Sequence, residues 1–216
     1  MSKARWLSER RDDPWHKRAK VEGYPSRAAY KLLYIQKRYR VLRRGDRVVD
    51  IGSWPGGMLK VESEIVGPEG LVVAVDVREP AFKAPNVKVL VTDLLSPKVA
   101  DEILNALNGE RCDVLISDAS PRLSGVRDVD VFNQLVLTIR ALEVSDVVLS
   151  LGGNSVLKAF ECEELGVLER RLQRSFRVCK RVVTPPALRK RSSEVYLVFL
   201  NKLHEGASEN LRSIVM

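Results

Sequence analysis

A chain of 216 residues, of which 45% are hydrophobic and 30% charged, has room for one buried core and is too apolar for intrinsic disorder. It has no run of roughly 20 apolar residues and its three cysteines form no CxxC pair, so we expect a cytoplasmic protein without a membrane segment or a bound metal. The net charge of +8 at pH 7 favours a polyanionic partner.

The excess positive charge lies at the N-terminus. Residues 1–50 contain 15 Lys and Arg against 6 Asp and Glu, and the remaining residues are nearly neutral. Residues 1–25 are also poorly periodic, which predicts a basic arm with at most a short irregular helix. Aromatic residues in this region could stack on bases or pack the arm onto the core, and we expect packing for at least half of Trp6, Trp15, Tyr24 and Tyr30.

From Ser26 onwards the chain alternates between helical and strand patterns. Ser26 is a candidate cap for a helix that runs to about Tyr39 and is ended by Gly45. Seven β-branched runs then predict buried strands, and four stretches between them are long enough for crossover helices. The strands are predicted at 47–52, 71–77, 87–92, 113–117, 154–160, 178–183 and 194–200, and the helices at 57–66, 97–107, 131–149 and 163–176.

This alternation predicts an α/β fold in which residues 26–202 form one Rossmann-like domain. Its sheet is expected to have seven mostly parallel strands with helices on both faces. The connection before the last strand contains Pro185-Pro186 and no helical run, so that strand is expected to be antiparallel. Residues 203–216 form a short polar tail.

A second basic tract lies at residues 170–191, which contain nine Lys and Arg and no acid. Together with the basic residues in 1–44, it is typical of a surface that binds RNA, because lysines and arginines displace counterions from phosphates. A solvated basic face without a partner is the alternative explanation.

The loop that follows the first predicted strand is a candidate ligand site, because ligands of open α/β sheets bind beyond the carboxyl ends of the strands. It has the pattern GxxxGG with a proline inside, which differs from the GxGxxG of nicotinamide enzymes. Asp76 and Asp93 end the next two strands, where carboxylates can bind an adenosine or cap a turn. The candidate cofactor residues in the loop are Gly52, Ser53, Pro55, Gly56, Gly57 and Met58.

Four further charged residues are candidates for a catalytic site. Asp118, Lys158 and Glu194 lie at the ends of later strands, and Lys31 lies on the N-terminal helix. A lysine in the apolar run VLKAF is costly to bury alone, so we expect Lys158 to pair with either Asp118 or Glu194. Alternatively, these residues form structural ion pairs at the carboxyl ends of the strands and have no catalytic role.

Six motifs together resemble the FtsJ-like ribose 2′-O-methyltransferases, which modify large-subunit ribosomal RNA and include archaeal members. The motifs are SRAAYKL at 26–32, VVDIGSWPGG at 48–57, the aspartate of AVDV at 76, SDASPRLSG at 117–125, VLKAF at 156–160 and RSSEVYLV at 191–198. The resemblance implies a catalytic tetrad with Lys158 as the proton acceptor, formed by Lys31, Asp118, Lys158 and Glu194. It also implies contacts to S-adenosylmethionine by Gly56, Met58, Asp76, Asp93 and Asp118.

Four positions depart from the pattern of this family. Ser53 and Trp54 stand where the family often has small residues, and Met58 stands where it often has an aromatic residue. Arg122 replaces the neutral polar residue that is usual in bacterial relatives, and it is a candidate phosphate contact. None of these changes affects the tetrad.

Methylation of a ribose hydroxyl by a sulfonium is an in-line displacement, so the protein has mainly to align the oxygen and remove its proton. Lys158 accepts this proton only when neutral. Burial and a neighbouring cation favour the neutral amine, neighbouring carboxylates favour the charged form, and the sequence leaves the balance open. We expect a monomer that methylates a uridine ribose of 23S-type ribosomal RNA. The alternatives are the same reaction on tRNA and a non-catalytic RNA-binding ribosome assembly factor.

Overall fold

A computed structural model of the chain describes residues 14–188, 193–206, 208 and 211–214. Within these ranges, helices and strands alternate as the sequence predicts. A short 3₁₀ turn at Pro186–Leu188 precedes the last strand, and another at Leu211–Ile214 follows it. The elements are α1 (Pro14–Val21), α2 (Ala28–Tyr39), β1 (Arg47–Ile51), α3 (Gly57–Val66), β2 (Leu71–Asp76), β3 (Val87–Val91), α4 (Val99–Ala106), β4 (Cys112–Ser117), α5 (Arg127–Val148), β5 (Leu149–Phe160), α6 (Glu164–Leu172), β6 (Phe176–Val182) and β7 (Glu194–Lys202).

The seven strands form one sheet in the order β3-β2-β1-β4-β5-β7-β6. Strands β1 to β5 pair in parallel, whereas β7 lies between β5 and β6 and is antiparallel to both. The predicted fold class is therefore confirmed, including the mostly parallel sheet and the antiparallel last strand. The carboxyl ends of the parallel strands share one edge of the sheet with the beginning of β7.

Alternating side chains along the strands build a core on each face of the sheet. Val48 of β1 packs into a cluster with residues of α2 and α3, and its neighbour Val49 packs with residues of α4, α5 and α6 on the other face. Successive side chains of a strand point to opposite faces, so a strand covered by helices on both sides must be apolar throughout. This explains the continuous β-branched runs of the sequence.

The first helix of the domain, α2, differs from its prediction at both ends. Ser26 Oγ accepts a hydrogen bond of 3.3 Å from the backbone N–H of Ala28, but the N-cap residue is Arg27 and the helix has no side-chain cap, so the prediction that Ser26 caps it is wrong. The helix ends at Arg40, which adopts a left-handed conformation (φ 49°) and donates its N–H to the carbonyl of Gln36. Gly45 therefore lies in the following turn and does not end the helix.

Strand β5 begins five residues earlier than the predicted strand at 154–160. Leu149 pairs with Cys112 before a bulge shifts the register, after which Asn154 pairs with Val114. The two glycines at 152 and 153 obscure this strand in the sequence, because glycine is depleted in strands and marks bulges. Helix α5 correspondingly ends at Val148 and begins at Arg127, four residues before its predicted start.

Residues 14–21 of the predicted arm form α1, which packs against α2 through aromatic rings. The ring of Tyr30 lies 5.1 Å from the ring of Trp15 and 5.8 Å from that of Tyr24. The guanidinium of Arg18 lies 5.3 Å from the rings of Trp15 and Tyr30. Packing is thus confirmed for these three aromatic residues, and Trp6 lies outside the described residues.

The described ranges contain neither a membrane-spanning helix nor a cluster of metal ligands. No helix there is both long and apolar enough to cross a membrane. No group of three or more His, Cys, Asp or Glu side chains in the same ranges could hold a metal ion.

Two carboxyl groups are buried together beneath the loop that follows β1. Asp50 of β1 and Glu62 of α3 are 1% and 0% exposed. Burial raises the pKa of both groups well above their ordinary values, and the two side chains are hydrogen-bonded to each other. Among the described residues no other donor reaches these carboxyl oxygens, so a shared proton satisfies the pair.

Replacing Glu62 by Gln supplies an N–H donor to Asp50 at every pH and is expected to stabilise the fold above neutral pH. A carboxyl whose pKa is raised on folding binds more protons in the folded state, so the unfolding free energy of the wild type falls as the pH rises towards that raised pKa. We expect E62Q to gain about 1 kcal/mol near pH 8 and to show a flatter decline with pH in urea unfolding. The exposed Glu64 on the same helix provides the control E64Q. An equal gain in E64Q, or a loss of stability in E62Q, would contradict this account.

Candidate active site

The four side chains of the predicted tetrad meet at the carboxyl edge of the sheet. Asp118 directly follows β4, Lys158 lies near the end of β5, and Glu194 begins β7. Because β7 is antiparallel, its first residue reaches the edge at which the parallel strands end. Lys31 reaches the same region from the second turn of α2.

The tetrad forms two ion pairs, in which Lys31, Lys158 and Glu194 are buried and Asp118 is half-buried. Nζ of Lys158 lies 3.2 Å from Oδ1 of Asp118 and donates a hydrogen bond of 2.6 Å to the backbone carbonyl of the same residue. Nζ of Lys31 lies 2.6 Å from Oε1 of Glu194. Of the two partners that the sequence left open for Lys158, the structure therefore selects Asp118. Each buried cation has an anion beside it, which offsets the cost of removing both from water.

Asp118 is held ionised by its surroundings. Burial acts to raise its pKa, but the positive charges of Lys158 and Lys31 and the hydroxyl of Tyr196 outweigh burial and lower the pKa to about 2. The Tyr196 hydroxyl donates a hydrogen bond of 2.7 Å to Oδ1 of Asp118. Burial, with the nearby charges of Asp118 and Glu194, raises the pKa of Tyr196 well above its ordinary value, so the phenol remains a donor.

Three supporting residues were not singled out by the sequence analysis. Tyr196 lies two residues after Glu194 on β7. Side chains two residues apart on a strand point to the same face, so these two share one face of β7. On α5, the Gln134 amide and the Thr138 hydroxyl donate to the backbone carbonyl of Lys158 at 3.2 and 3.0 Å. The only sequence signal for this pair is the spacing of two polar residues four apart on a buried helix face.

The glycine loop after β1 lies directly beside the segment that carries Asp118. At Gly52 (φ +80°), an added Cβ would lie only 2.5 Å from the backbone nitrogen of Ala119. At Gly57 an added Cβ would collide with the side chain of Ser26. In the structure, it is therefore the backbone of Ala119 and the side chain of Ser26 that approach these glycines closely. The approach of a ligand to the loop remains a prediction.

Asp76 and Asp93 each accept a hydrogen bond from the turn that follows their own strand, and Asp76 accepts a second one from the loop after β1. The Asp76 carboxylate accepts from the backbone N–H groups of Trp54 at 3.0 Å and Arg78 at 2.9 Å. The Asp93 carboxylate accepts from the N–H of Leu95 at 2.9 Å. The turn-capping role that the sequence left open is thus present, and each carboxylate oxygen has a second lone pair for a ligand donor.

A doubly wound sheet with an antiparallel β7 between β5 and β6, and with acidic residues at the ends of β2, β3 and β4, is the architecture expected of the S-adenosylmethionine-dependent methyltransferases that the motifs resemble. Solved structures support this fold. A Plasmodium falciparum chain described as a ribosomal RNA methyltransferase superposes with a TM-score of 0.75 at 24% identity, covering 84% of this chain and 100% of that chain. The fibrillarin/Nop5p complex gives a TM-score of 0.55 at 19% identity and 78% coverage of both chains.

Sequence comparison identifies the family. The FtsJ-like methyltransferase family matches residues 24–202. The chain is 43% identical over 195 residues to "Ribosomal RNA large subunit methyltransferase E" of Methanothermobacter thermautotrophicus, which covers 90% of this chain and 92% of the relative. The protein of the same name from Acinetobacter baumannii is 40% identical over 193 residues, with coverage of 89% and 88%. The chain belongs to the FtsJ-like methyltransferase family, as its motifs predict.

S-adenosylmethionine is the methyl donor, and the residues around the glycine loop fit it. The hydroxyl of Ser53 is buried and has no hydrogen-bond partner among the described residues, so it is available to a ligand. The N-terminus of α3 at Gly57 has no side-chain cap and suits the carboxylate of the cofactor. Acidic groups near Asp50, namely Asp76 and Asp118, complement a sulfonium. When bound, this sulfonium supplies an electrophilic methyl group.

Replacing Tyr196 by Phe removes the hydroxyl donor to Asp118 and keeps the buried ring. We expect the methyl-transfer rate to fall about tenfold, since hydrogen bonds to charged groups are the stronger kind. The pKa of Asp118 rises when this donor is lost, so the acidic limb of the pH–rate profile should move towards neutral pH. The comparison is Tyr34→Phe, which removes a hydroxyl bonded to Arg38 on α2. An unchanged profile in Y196F would show that the hydroxyl does not act on Asp118.

Proposed function

We propose that this enzyme methylates the ribose 2′-hydroxyl of a uridine in large-subunit ribosomal RNA, with Lys158 as the proton acceptor. The names of the archaeal and bacterial relatives support the RNA substrate. The observation that carries the catalytic role is the position of Lys158. Its Nζ is buried at the edge of the sheet and fixed by two contacts to Asp118, next to the glycine loop.

The surroundings of Lys158 suit a base that takes up a proton during methyl transfer. Nζ can accept a proton only as the neutral amine, so the reaction requires that the ammonium of the resting ion pair first releases its proton to solvent. As the hydroxyl loses its proton, Nζ becomes an ammonium, which the carboxylate of Asp118 stabilises. Asp118 therefore acts mainly on the product of proton transfer, and it also fixes the direction of Nζ.

We assign Lys31 and Glu194 to positioning of the target nucleotide. Lys31 lies near the beginning of α2, where its ammonium can contact the target ribose or its phosphate. Glu194 balances the charge of Lys31 when no RNA is bound and restricts the ammonium to one direction. We further propose that Gly52, Ser53, Pro55, Gly56, Gly57, Met58, Asp76, Asp93 and Asp118 contact the cofactor.

Strand direction divides the basic residues of the proposed RNA surface. Phe176, the first residue of β6, pairs with Lys202, the last residue of β7, at the edge of the sheet opposite the tetrad. Arg174 and Arg177 lie close to Phe176 in the chain and are therefore far from the reaction. Arg181 is paired with Glu161 and Glu169. Arg122 is exposed and follows Asp118 by only four residues. We therefore assign RNA contacts to basic residues in 1–44, to Arg122, and to the part of 170–191 at the carboxyl edge, whose residues 189–191 lie outside the described ranges.

The same reaction on tRNA and a non-catalytic role in ribosome assembly are the alternatives. Two lysines and two acids buried at one edge have no evident use in an RNA chaperone, which favours an enzyme. We propose that residues 1–25 form a basic arm, residues 26–202 the methyltransferase domain and residues 203–216 a polar tail. We propose a cytoplasmic monomer.

Transfer of a labelled methyl group to large ribosomal subunits and to tRNA, assayed side by side, tests the function. We expect the wild type to label the subunits, with the label in alkali-resistant linkages that mark ribose methylation. Lys158→Ala should lower the rate by about 10³-fold while S-adenosylmethionine affinity stays within about twofold. The control is the exposed Lys98→Ala. Labelling of tRNA alone would overturn the substrate, and normal turnover by K158A would remove this lysine from the mechanism.

Arg122 and Arg174 provide a matched pair for the RNA surface. In a plot of log affinity against log salt concentration, loss of one phosphate contact reduces the magnitude of the slope by about one. We expect this change for R122A and no change for R174A when binding to ribosomal RNA is titrated at several salt concentrations. Equal slopes for both variants would place the RNA elsewhere.

A further inference from the structure

Trp54 and Arg78 form a stacked pair at the carboxyl edge of the sheet. Trp54 lies in the glycine loop after β1, and Arg78 is the second residue after β2. Cζ of Arg78 lies 3.6 Å from the centroid of the Trp54 ring. The indole remains 37% exposed and Arg78 is exposed, so the pair lies at the surface and is not part of either core.

The pair is anchored through its backbone. One carboxylate, that of Asp76, accepts the N–H of Trp54 through Oδ2 and the N–H of Arg78 through Oδ1. A further bond of 3.3 Å from the N–H of Ala81 to the carbonyl of Pro55 joins the same two loops. The stacked geometry is therefore set before any ligand binds, which lowers the entropic cost of binding.

Arg78 has no carboxylate partner in the part of the chain that the structure describes. Among the described side chains, no acid lies within ion-pair distance of its guanidinium, whereas Arg140 and Arg181 are each paired with glutamates. In the comparable stack of Arg18 on Trp15, the guanidinium is bonded to Glu22. The Trp54/Arg78 stack thus presents a flat aromatic surface together with an uncompensated cation.

We propose that the Trp54/Arg78 stack binds a nucleobase of the substrate RNA close to the target nucleotide. Bases stack on aromatic rings and guanidinium planes, and the adjacent phosphate is attracted to the cation. The site lies within reach of the tetrad, because β1 neighbours β4 at about 5 Å and Asp118 directly follows β4. This proposal rests on the proposed function, since it requires an RNA substrate.

Three variants separate stacking from bulk and charge. Trp54→Phe keeps a ring, Trp54→Leu keeps an apolar side chain without a ring, and Arg78→Gln removes the cation. The probe is a fluorescein-labelled, single-stranded, uridine-rich oligoribonucleotide, titrated by anisotropy in the presence of S-adenosylhomocysteine. A second probe has the same backbone with abasic positions. Affinity for S-adenosylmethionine and the urea unfolding midpoint are measured for each variant.

We expect W54L to weaken RNA binding about tenfold and W54F by less than about threefold, as loss of one base–aromatic stack predicts. With the abasic probe, the wild type and W54L should bind equally. R78Q should weaken both probes and reduce the salt slope by about one. Tryptophan fluorescence of the wild type should be quenched by the RNA, and that of W54F should change less.

Unchanged RNA affinity in W54L, or an equal loss on both probes, would overturn the proposal. A loss of S-adenosylmethionine affinity in W54L with RNA binding intact would instead assign the stack to the cofactor, and would also overturn it. Methyl transfer by the wild type to ribosomal subunits is measured in parallel. If the wild type methylates the subunits and W54L binds RNA normally, this inference fails alone; if the wild type does not methylate RNA, the proposed function fails.

Discussion

The buried contact between the ammonium of Lys158 and the carboxylate of Asp118 is the interaction on which the carboxyl edge of the sheet depends. Either charge alone would be costly to bury, so the fold must bring both to one place. The parallel register of β4 and β5, in which Ser117 pairs with Leu157, puts the two residues that follow beside each other. Tyr196 and the polar residues of α5 then hold the carboxylate and the strand in position.

The inserted antiparallel strand completes this arrangement. A parallel strand delivers its last residues to the carboxyl edge, and an antiparallel neighbour delivers its first. With β7 against β5, Lys158 pairs with Tyr196 and Phe160 with Glu194, so groups from distant parts of the chain face one another. Lys31 on α2 completes its ion pair with Glu194 across the face of the sheet. The strand order therefore determines the chemistry that is possible at this edge.

Much of the fold was predictable from sequence, because all seven β-branched runs form strands and the central ones, covered by helices on both faces, must be apolar throughout. The prediction that all seven are buried was wrong for β3 and β6, which lie at the two sides of the sheet and are largely half-buried or exposed. The early start of β5 was not predictable, since its pairing with β4 overrides the local signal of two glycines. The four tetrad residues were identified by their motifs, and Asp118, Lys158 and Glu194 also by their places at strand ends. Which lysine pairs with which acid depends on the strand order and on α2, and no local pattern encodes either.

The contact between Gly52 and Ala119 couples the two halves of the site. There is no space for a Cβ between Gly52 and the backbone of Ala119, so neither the glycine loop nor the segment that carries Asp118 can move towards the other without displacing it. Any ligand that displaces one segment consequently changes the free energy of whatever binds the other. Thermodynamic linkage makes this effect reciprocal, so the methyl donor and the methyl acceptor would change each other's binding affinity by the same factor.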